Sequence, residues 1–169
     1  MALRKANNSD ASSLAAISIE VWLGTYIKQG VNSFFADYVL QEFTSEKLAQ
    51  RIADPNQLFL VSQNDQGIDG FIQVSTGSAS PVKGGSTFEI STFYVQPRHH
   101  GKGVGKRLLK GALQHCREQL AESVWLATNA ENTPAIAFYL AQGFSHVGET
   151  YFCMGKEAYL NNVYAYPLT

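Results

Sequence analysis

Two stretches in the first third of the chain carry apolar residues at the spacing of a helix. The first predicts a helix with Ser9 or Asp10 as its N-cap, whose inward-facing side chains are Leu14, Ile17, Val21 and Trp22. The second predicts a helix that begins at Thr44 and ends before Pro55, with inward-facing Leu48 and Ile52. Both stretches are therefore expected to form helices with one buried side.

The middle of the chain consists of β-branched and aromatic runs separated by turn residues. Residues 58–62 and 70–75 are expected to be the two strands of a hairpin, because the turn sequence Asn64-Asp65-Gln66-Gly67 lies between them. The stretch 76–86 is rich in Gly, Pro, Ser and Thr, which predicts a surface loop. Residues 87–95 follow as a strand whose composition predicts that it is buried.

The second half alternates between helical and extended patterns. After residue 104 the spacing predicts a helix with one apolar side, formed by Leu108, Leu109, Ala112, Leu113, Cys116 and Leu120. A strand over 123–128, a helix over 133–141 and strands near 144–153 and 162–168 complete the chain. This order predicts an α/β (α+β) fold, a mixed sheet with helices on both faces.

Composition and charge narrow the classes of function. A chain of 169 residues with 45% hydrophobic and 16% charged residues fits one domain over residues 1–169. The formal net charge of -1 gives no electrostatic reason to expect nucleic acid or an anionic membrane as a partner. Because there is no apolar run of ~20 residues and no signal-peptide pattern at residues 1–7, a cytoplasmic protein is expected.

The cysteines and histidines do not form a metal pattern. Cys116 falls on the apolar side of a predicted helix and Cys153 in a predicted strand, and both are expected to be reduced packing residues. His99 and His100 are adjacent, so their side chains point apart, and no further ligand lies at suitable spacing. No bound metal is expected.

A glycine-rich loop, residues 100–107, separates the strand at 87–95 from the helix that follows. Glycines at 101, 103 and 105 let the backbone approach a ligand, and the helix N-terminus directs its free N–H groups and positive dipole end into the loop. This arrangement predicts an anion site, best suited to phosphate. A Walker loop is excluded because Arg107, not Ser or Thr, follows Lys106, and a dinucleotide fingerprint would need glycine at Lys106.

The loop and a second motif resemble those of the GCN5-related N-acetyltransferase (GNAT) superfamily. The acyl-CoA loop of that family, R/Q-x-x-G-x-G/A, corresponds to residues 100–105, with His100 replacing the usual Arg or Gln. The stretch 132–144 resembles the second signature, N-x-x-A-I-x-F-Y-x-x-x-G-F. The resemblance covers roughly residues 58–152 and implies a mostly antiparallel sheet with a splayed central strand pair. It also implies acetyl transfer from acetyl-CoA to a primary amine by direct attack in a ternary complex.

The same resemblance assigns residues to the cosubstrate acetyl-CoA. The loop residues implied to hold its pyrophosphate are His100, Gly101, Lys102, Gly103, Val104, Gly105 and Lys106. Main-chain groups of Phe93, Tyr94 and Val95 are implied to bind the pantetheine as an added strand, with the Val95 amide facing the thioester oxygen. Asn132 is implied to contact the CoA arm, and it or Thr133 is expected to cap the helix over 133–141.

Two side chains are the candidates for acid–base catalysis. Glu89 lies eleven residues before His100, the position of a general base in histone-acetyltransferase members of the family. The alternative is a carboxylate at a sheet end, or one paired with a nearby Lys or Arg, with ordered water as the base. Tyr139, in the family's Phe-Tyr pair, is the candidate general acid for the departing thiolate, and a core aromatic residue is its alternative.

The acceptor amine is the least defined part of the hypothesis. Acidic and aromatic residues that suit a cationic amine are Glu20, Trp22, Tyr26, Asp37, Glu42, Tyr151 and Tyr159. The tail after Gly155 is loosely similar to spermidine-type polyamine acetyltransferases, so a small-molecule amine or polyamine is the first expectation. A peptide or protein N-terminus, a non-catalytic acyl-CoA-binding regulatory module and a nucleotide-binding regulator are the alternatives. The oligomeric state is open, with a homodimer as one option.

Overall fold

The computed structural model describes residues 2–169, which contain five α-helices and seven β-strands. The helices are α1 (Ala11–Tyr26), α2 (Ser33–Glu42), α3 (Ser45–Ala53), α4 (Val104–Glu118) and α5 (Thr133–Ala141). The strands are β1 (Ala2–Lys5), β2 (Gln57–Gln63), β3 (Ile68–Thr76), β4 (Phe88–Val95), β5 (Ser123–Asn129), β6 (Ser145–Met154) and β7 (Glu157–Pro167). Their hydrogen-bonded order is β1-β2-β3-β4-β5-β7-β6, a mixed sheet in which β4 and β5 are parallel.

The chain forms two compact units. Unit 1 comprises the chain up to Val74 together with Thr92–Ala112, and unit 2 comprises Ser75–Ser91 and Leu113–Thr169. The glycine-rich loop therefore belongs to unit 1, whereas Glu89 and Tyr139 belong to unit 2.

Unit 1 has a core of helix and strand side chains. Leu14 and Ile17 of α1 and Leu48 of α3 are buried in one cluster with Phe59, Val61 and Phe71 of β2 and β3. Burial of such side chains stabilises the fold by roughly 1.5–3 kcal/mol each. The predicted α3 is confirmed, because the Thr44 hydroxyl accepts a hydrogen bond from the Lys47 amide and caps the helix at the expected residue.

The N-terminal cap differs from the prediction. Neither Ser9 nor Asp10 caps α1 with its side chain; instead Asn7 caps a short 3-10 turn over residues 8–10 that precedes the helix. The Asp10 carboxylate accepts from the Asn7 amide and pairs with Arg4 at 2.8 Å, and this pairing lowers the pKa of Asp10. Asp10 is therefore held by the residues before the helix.

Unit 2 is built on a three-stranded antiparallel array that begins at β5. Strand β7 pairs with β5 on one side, from Ser123 opposite Pro167 to Asn129 opposite Asn161. On its other side β7 pairs with β6, and a register shift lies between His146 and Gly148. The parallel pairing of β4 with β5 is made at Glu89 opposite Trp125, in keeping with the predicted splayed strand pair.

Several expectations about burial were wrong. Strand β4 is only partly buried, with Ile90 as its fully buried residue among those described. Leu120 is 89% exposed rather than part of the apolar side of α4, because that helix ends at Glu118 and Leu120 adopts a positive φ of 59°. Cys153 is exposed, so it is not a packing residue, whereas Cys116 is buried as expected.

Candidate active site

The glycine-rich loop of unit 1 has the backbone that its sequence requires. Gly101 and Gly103 have φ values of 75° and 79°, in the left-handed region that residues with a Cβ rarely adopt. Helix α4 begins directly afterwards at Val104, and its first internal hydrogen bond runs from the Arg107 amide to the Gly103 carbonyl at 3.2 Å. The N–H groups of the first turn precede that bond and are available to an anion.

His100 anchors this loop to the end of β4. Its Nε2 lies 3.0 Å from the Val95 carbonyl oxygen, and a carbonyl can only accept, so Nε2 carries the proton and donates. The His100 amide also donates to the Pro97 carbonyl at 3.1 Å, across the 3-10 turn over residues 97–99. The side chain at this position therefore has a structural partner within the chain.

The cationic side chains of the loop and of the first turns of α4 lie at the surface. Lys102, Lys106 and Lys110 are exposed, and they surround a helix end that already favours negative charge. Val104, by contrast, is 1% exposed and fixes the start of the helix in the core. Unit 1 thus offers main-chain donors at a helix start that is anchored in the core, with exposed cations around them.

The end of β4 in unit 1 is positioned by close packing with β3. The Tyr94 ring contacts Phe71 edge-on, with centroids 5.8 Å apart. A Cβ at Gly70 would lie 2.9 Å from the Tyr94 carbonyl oxygen and 3.3 Å from a Leu108 methyl carbon. Glycine at 70 therefore permits the close approach that sets the backbone of Phe93, Tyr94 and Val95, all of which are half-buried.

Unit 2 contains a cavity of about 300 Å³. Its floor is one face of the sheet, since residues opposite each other in register and residues two apart on a strand share a face. By the register of β4, β5, β7 and β6, the residues on that face that line the cavity are Glu89, Trp125, Ala127, Asn161, Thr150 and Phe152. Ala79 and Pro81, from the loop before β4, form another part of the wall.

Glu89 is half-buried in the floor of this cavity. Burial raises the pKa of its carboxyl above the usual value, while a hydrogen bond from the Ser78 hydroxyl acts in the opposite direction and lowers it. The net effect is a raised pKa. A carboxyl group of this kind is a better proton acceptor than an exposed glutamate once it is ionised.

Tyr139 lies in an aromatic cluster of unit 2 and is 8% exposed. Its ring centroid is 5.7 Å from those of Phe138 and Phe144 and 6.4 Å from that of Tyr164. Burial raises the pKa of the phenol, so it stays protonated across the ordinary pH range.

Glu89 and Tyr139 do not share a face of the sheet in unit 2. Tyr164, which contacts Tyr139, pairs with Leu126, whereas Glu89 pairs with Trp125. Neighbouring residues on a strand point to opposite faces. The two candidate acid–base groups are therefore associated with opposite sides of that sheet.

Asn132 caps α5 as predicted. Its side-chain oxygen accepts from the Ala135 amide at 3.4 Å, and its own amide donates to the Asn129 carbonyl at 2.9 Å. Helix α5 then ends before Gly143, whose φ is 99°.

Most of the predicted acceptor residues have partners in the packing of unit 1. Trp22 is 4% exposed and stacks on Tyr26, with centroids 4.5 Å apart. Glu42 forms ion pairs with Arg51 and with Lys47, the latter at 3.6 Å, and Glu20 accepts from Gln96 at 2.9 Å. Of the set named from the sequence, Tyr151 lines the unit 2 cavity.

Three residues of the cavity region were not foreseen from the sequence. Ser78 lies in what was expected to be an unremarkable surface loop, yet it donates to Glu89. The Trp125 Nε1 and the Asn161 Oδ1 are buried and have no hydrogen-bond partner among residues 2–169. Buried polar atoms are usually paired, so such exceptions ask for an explanation.

Across residues 2–169, no group of three or more His, Cys, Asp or Glu side chains is arranged to hold a metal ion. Every helix in the same part of the chain is too short or too polar to span a bilayer.

Comparison with known proteins identifies relatives along most of the chain. The family model of the acetyltransferase (GNAT) family matches residues 26–144. An uncharacterized N-acetyltransferase of Mycobacterium bovis is 27% identical over 147 residues, which is 87% of this chain and 90% of the relative.

Solved structures match the fold over nearly the whole chain. The PaiA N-acetyltransferase from Thermoplasma acidophilum, in complex with coenzyme A, aligns with a TM-score of 0.77 at 21% identity, covering 95% of this chain and 96% of that one. YncA from Salmonella typhimurium, with its cofactor acetyl-CoA, aligns with a TM-score of 0.69 at 18% identity. The alignment covers 100% of this chain and 94% of that one. At these identities the likeness confirms the predicted fold class.

Proposed function

The chain belongs to the acetyltransferase (GNAT) family, and we propose that it moves an acetyl group from acetyl-CoA to a primary amine by direct attack in a ternary complex. The observation that carries this proposal is the family match over residues 26–144, which includes the glycine-rich loop, Glu89 and Tyr139. Relatives solved with coenzyme A or acetyl-CoA support the choice of cosubstrate.

Unit 1 supplies the groups proposed to bind the cosubstrate. The left-handed glycines 101 and 103 expose the backbone of residues 100–106, and the helix start at Val104 directs N–H groups toward a pyrophosphate. Lys102 and Lys106 add positive charge at the surface. The backbone of residues 93–95 is proposed to bind the pantetheine, and Asn132 of unit 2 to contact the CoA arm while it caps α5.

Glu89 is proposed as the base that prepares the amine. An alkylammonium with a pKa near 10.4 costs about 4 to 5 kcal/mol to deprotonate at pH 7, so a positioned acceptor for that proton matters. The raised pKa of the half-buried carboxyl suits this task, because a base whose pKa is nearer the working pH accepts the proton more readily.

Tyr139 is proposed as the acid that completes the reaction. The amine nitrogen forms a bond to the thioester carbon, the carbon–sulfur bond breaks, and the departing thiolate takes the phenolic proton to give free CoA. The nitrogen loses its second proton as the amide forms, and that proton returns through solvent to the tyrosinate and restores the phenol. The raised pKa keeps the phenol protonated until that step. Its tight aromatic surroundings support a fixed ring position.

Acceptor screening with two variants tests the proposal. Acetyl transfer from acetyl-CoA is measured by chromatography against a panel of amines, and CoA binding by calorimetry. Tyr139→Phe is expected to lower kcat by about a hundredfold or more with CoA affinity within about twofold of the parent. Tyr166→Phe, which removes the hydroxyl of another tyrosine in contact with Phe144 and outside the cavity lining, is the matched control and should retain activity.

Two outcomes would overturn the assignment in different ways. If CoA binds but the parent protein acetylates none of the amines, a non-catalytic acyl-CoA-binding module is the better description. If neither CoA nor acetyl-CoA gives heat, the cosubstrate assignment itself is wrong.

A further inference from the structure

We propose that Gln73 is a positioning residue for the cosubstrate, which fixes the β4 backbone that is proposed to bind pantetheine; this rests on the proposed binding of acetyl-CoA by residues 93–95. Gln73 belongs to β3 and does not need to touch the cosubstrate itself. It acts through Thr92, the residue of β4 directly before that segment.

A row of polar side chains crosses strands β2, β3 and β4 in unit 1. The Gln73 Nε2 donates to the Gln57 Oε1 at 2.8 Å, and the Thr92 hydroxyl donates to the Gln73 Oε1 at 2.9 Å. Gln73 stands in the middle of this polar row and is 6% exposed. Both ends of its amide group are therefore bound to side chains of the neighbouring strands.

A row of aromatic side chains runs beside the polar row. Phe71 is two residues before Gln73 on β3, so the two side chains share a face of the sheet. The Phe71 ring contacts Phe59 of β2 and Tyr94 of β4, with centroid distances of 6.1 Å and 5.8 Å. Tyr94 is likewise two residues after Thr92 on β4. The two rows thus meet β4 at two residues that are separated by a single position.

The polar row adds a constraint that the aromatic row cannot supply. Apolar contact has no preferred direction, whereas a hydrogen bond weakens steeply when its length or angle changes. A slip of β4 by two residues against β3 would keep every side chain on its own face, so an apolar pattern alone opposes it weakly. The same slip would separate Thr92 from Gln73 and leave buried polar atoms unpaired. The polar row therefore specifies the register of β4 at this point.

The end of β4 needs this constraint because its backbone is the proposed binding surface. The pairing of β4 with β5 is made earlier in the strand, at Glu89 opposite Trp125, and residues 93–95 follow that pair. A ligand that binds as an added strand needs main-chain donors and acceptors at fixed spacing. Freedom of the segment would have to be lost on binding and would weaken the affinity. Gln73 and Thr92 remove that freedom before the cosubstrate binds.

Binding of CoA and of its nucleotide half tests the proposal. Calorimetry gives the Kd of CoA and of phospho-ADP, the part of CoA that remains without pantetheine. In Gln73→Leu the Kd for CoA should rise about tenfold, while the Kd for phospho-ADP stays within about twofold of the parent value. Thr92→Val should behave in the same way. Thr92→Ser keeps the hydroxyl and should bind CoA as the parent does.

A double variant separates positioning from stability. Gln73→Leu combined with Thr92→Val removes both partners of one hydrogen bond, and Gln57 is half-buried and can bind water instead. Its Tm should therefore lie closer to that of the parent than the Tm of either single variant, while its affinity for CoA stays low. Gln63→Leu is the matched control, because it removes a side-chain hydrogen bond from Arg4 to another glutamine of unit 1. It should leave both affinities unchanged.

Different results would contradict different parts of this inference. Equal losses of affinity for CoA and phospho-ADP in Gln73→Leu, or an unchanged affinity for CoA, would overturn the positioning role. Recovery of CoA affinity together with Tm in the double variant would assign the polar row to stability alone. A parent protein that binds CoA no more tightly than phospho-ADP would instead contradict the proposed binding of pantetheine.

Discussion

The Ser78 hydroxyl donates a hydrogen bond to the Glu89 carboxylate, and this contact opposes the effect of burial on the same group. Burial disfavours the ionised carboxylate and raises its pKa, whereas the donated hydrogen bond favours the ionised form and lowers it. Ser78 therefore lowers the pH at which the Glu89 carboxyl ionises.

Removal of the Ser78 hydroxyl should move the pH profile of the enzyme. In Ser78→Ala the carboxyl loses the interaction that lowers its pKa, so the acidic limb of kcat/KM should shift to higher pH. Glu89→Gln should lower kcat/KM by about a hundredfold and abolish the limb. Full pH profiles measured with one acceptor keep the titration of the amine constant across variants.

Ser80→Ala is the control for that shift. Ser80 lies in the same loop, and its hydroxyl oxygen accepts from the Val82 amide rather than contacting Glu89. Its profile should coincide with that of the parent. A Ser78→Ala limb at unchanged or lower pH would show that Glu89 is not the titrating base.

The ionisation of Glu89 should also make the stability of the fold depend on pH. Its folded pKa is raised above the unfolded value, so the folded state binds the proton more tightly and stability falls as pH rises through the two values. A glutamine at position 89 cannot ionise, so the Glu89→Gln variant does not lose stability in this way as the pH rises. The Tm of Glu89→Gln relative to the parent should therefore be more favourable at pH 7 than at pH 4. A difference independent of pH would contradict the raised pKa.

The left-handed glycines of the loop offer a sharp test of cosubstrate binding. Gly101→Ala places a Cβ at φ 75° with no heavy atom within 4 Å, so it should cost about 1 kcal/mol through the backbone alone. The loop can relieve that strain by changing its backbone conformation. We therefore expect the affinity for CoA, measured by calorimetry, to fall about tenfold. Gly84→Ala is matched, since Gly84 also has φ 75° and open surroundings, and it should lower stability without lowering CoA affinity.

The two thiols should differ in reactivity. Cys153 is exposed, whereas Cys116 is buried and burial raises its pKa to about 11, so little thiolate forms there at pH 8. A thiol reagent should label one cysteine quickly in the folded protein and the second only after unfolding. Cys153→Ser should remove the fast phase, and rapid labelling in that variant would contradict the burial of Cys116. This variant also suits assays that detect released CoA as a thiol.

The sequence predicted correctly the start of two helices that are capped by a nearby side chain. Helices α3 and α5 begin where expected because Thr44 and Asn132 bind backbone amides three residues ahead. Helix α2 was missed, since Val39 is its single buried residue among those described and its apolar residues show little helical periodicity. Strand β1 has four residues, too few for a pattern.

The glycine loop was predicted for the same local reason, whereas the cavity was not. The relation of Trp125 to Asn161 depends on the register of β7 between β5 and β6, which no short stretch of sequence determines. The Ser78 contact joins a loop residue to a strand eleven positions later, and only the folded loop brings the two side chains together. The proximity of these residues therefore follows from the folded structure and not from a sequence motif.

The tether between His100 and Val95 joins the start of the glycine-rich loop to the end of β4. The loop proposed for the diphosphate and the backbone of residues 93–95 proposed for the pantetheine therefore share one fixed point. A displacement of either segment would be passed to the other through this hydrogen bond, so the spacing between the two ends of the cosubstrate depends on one side chain.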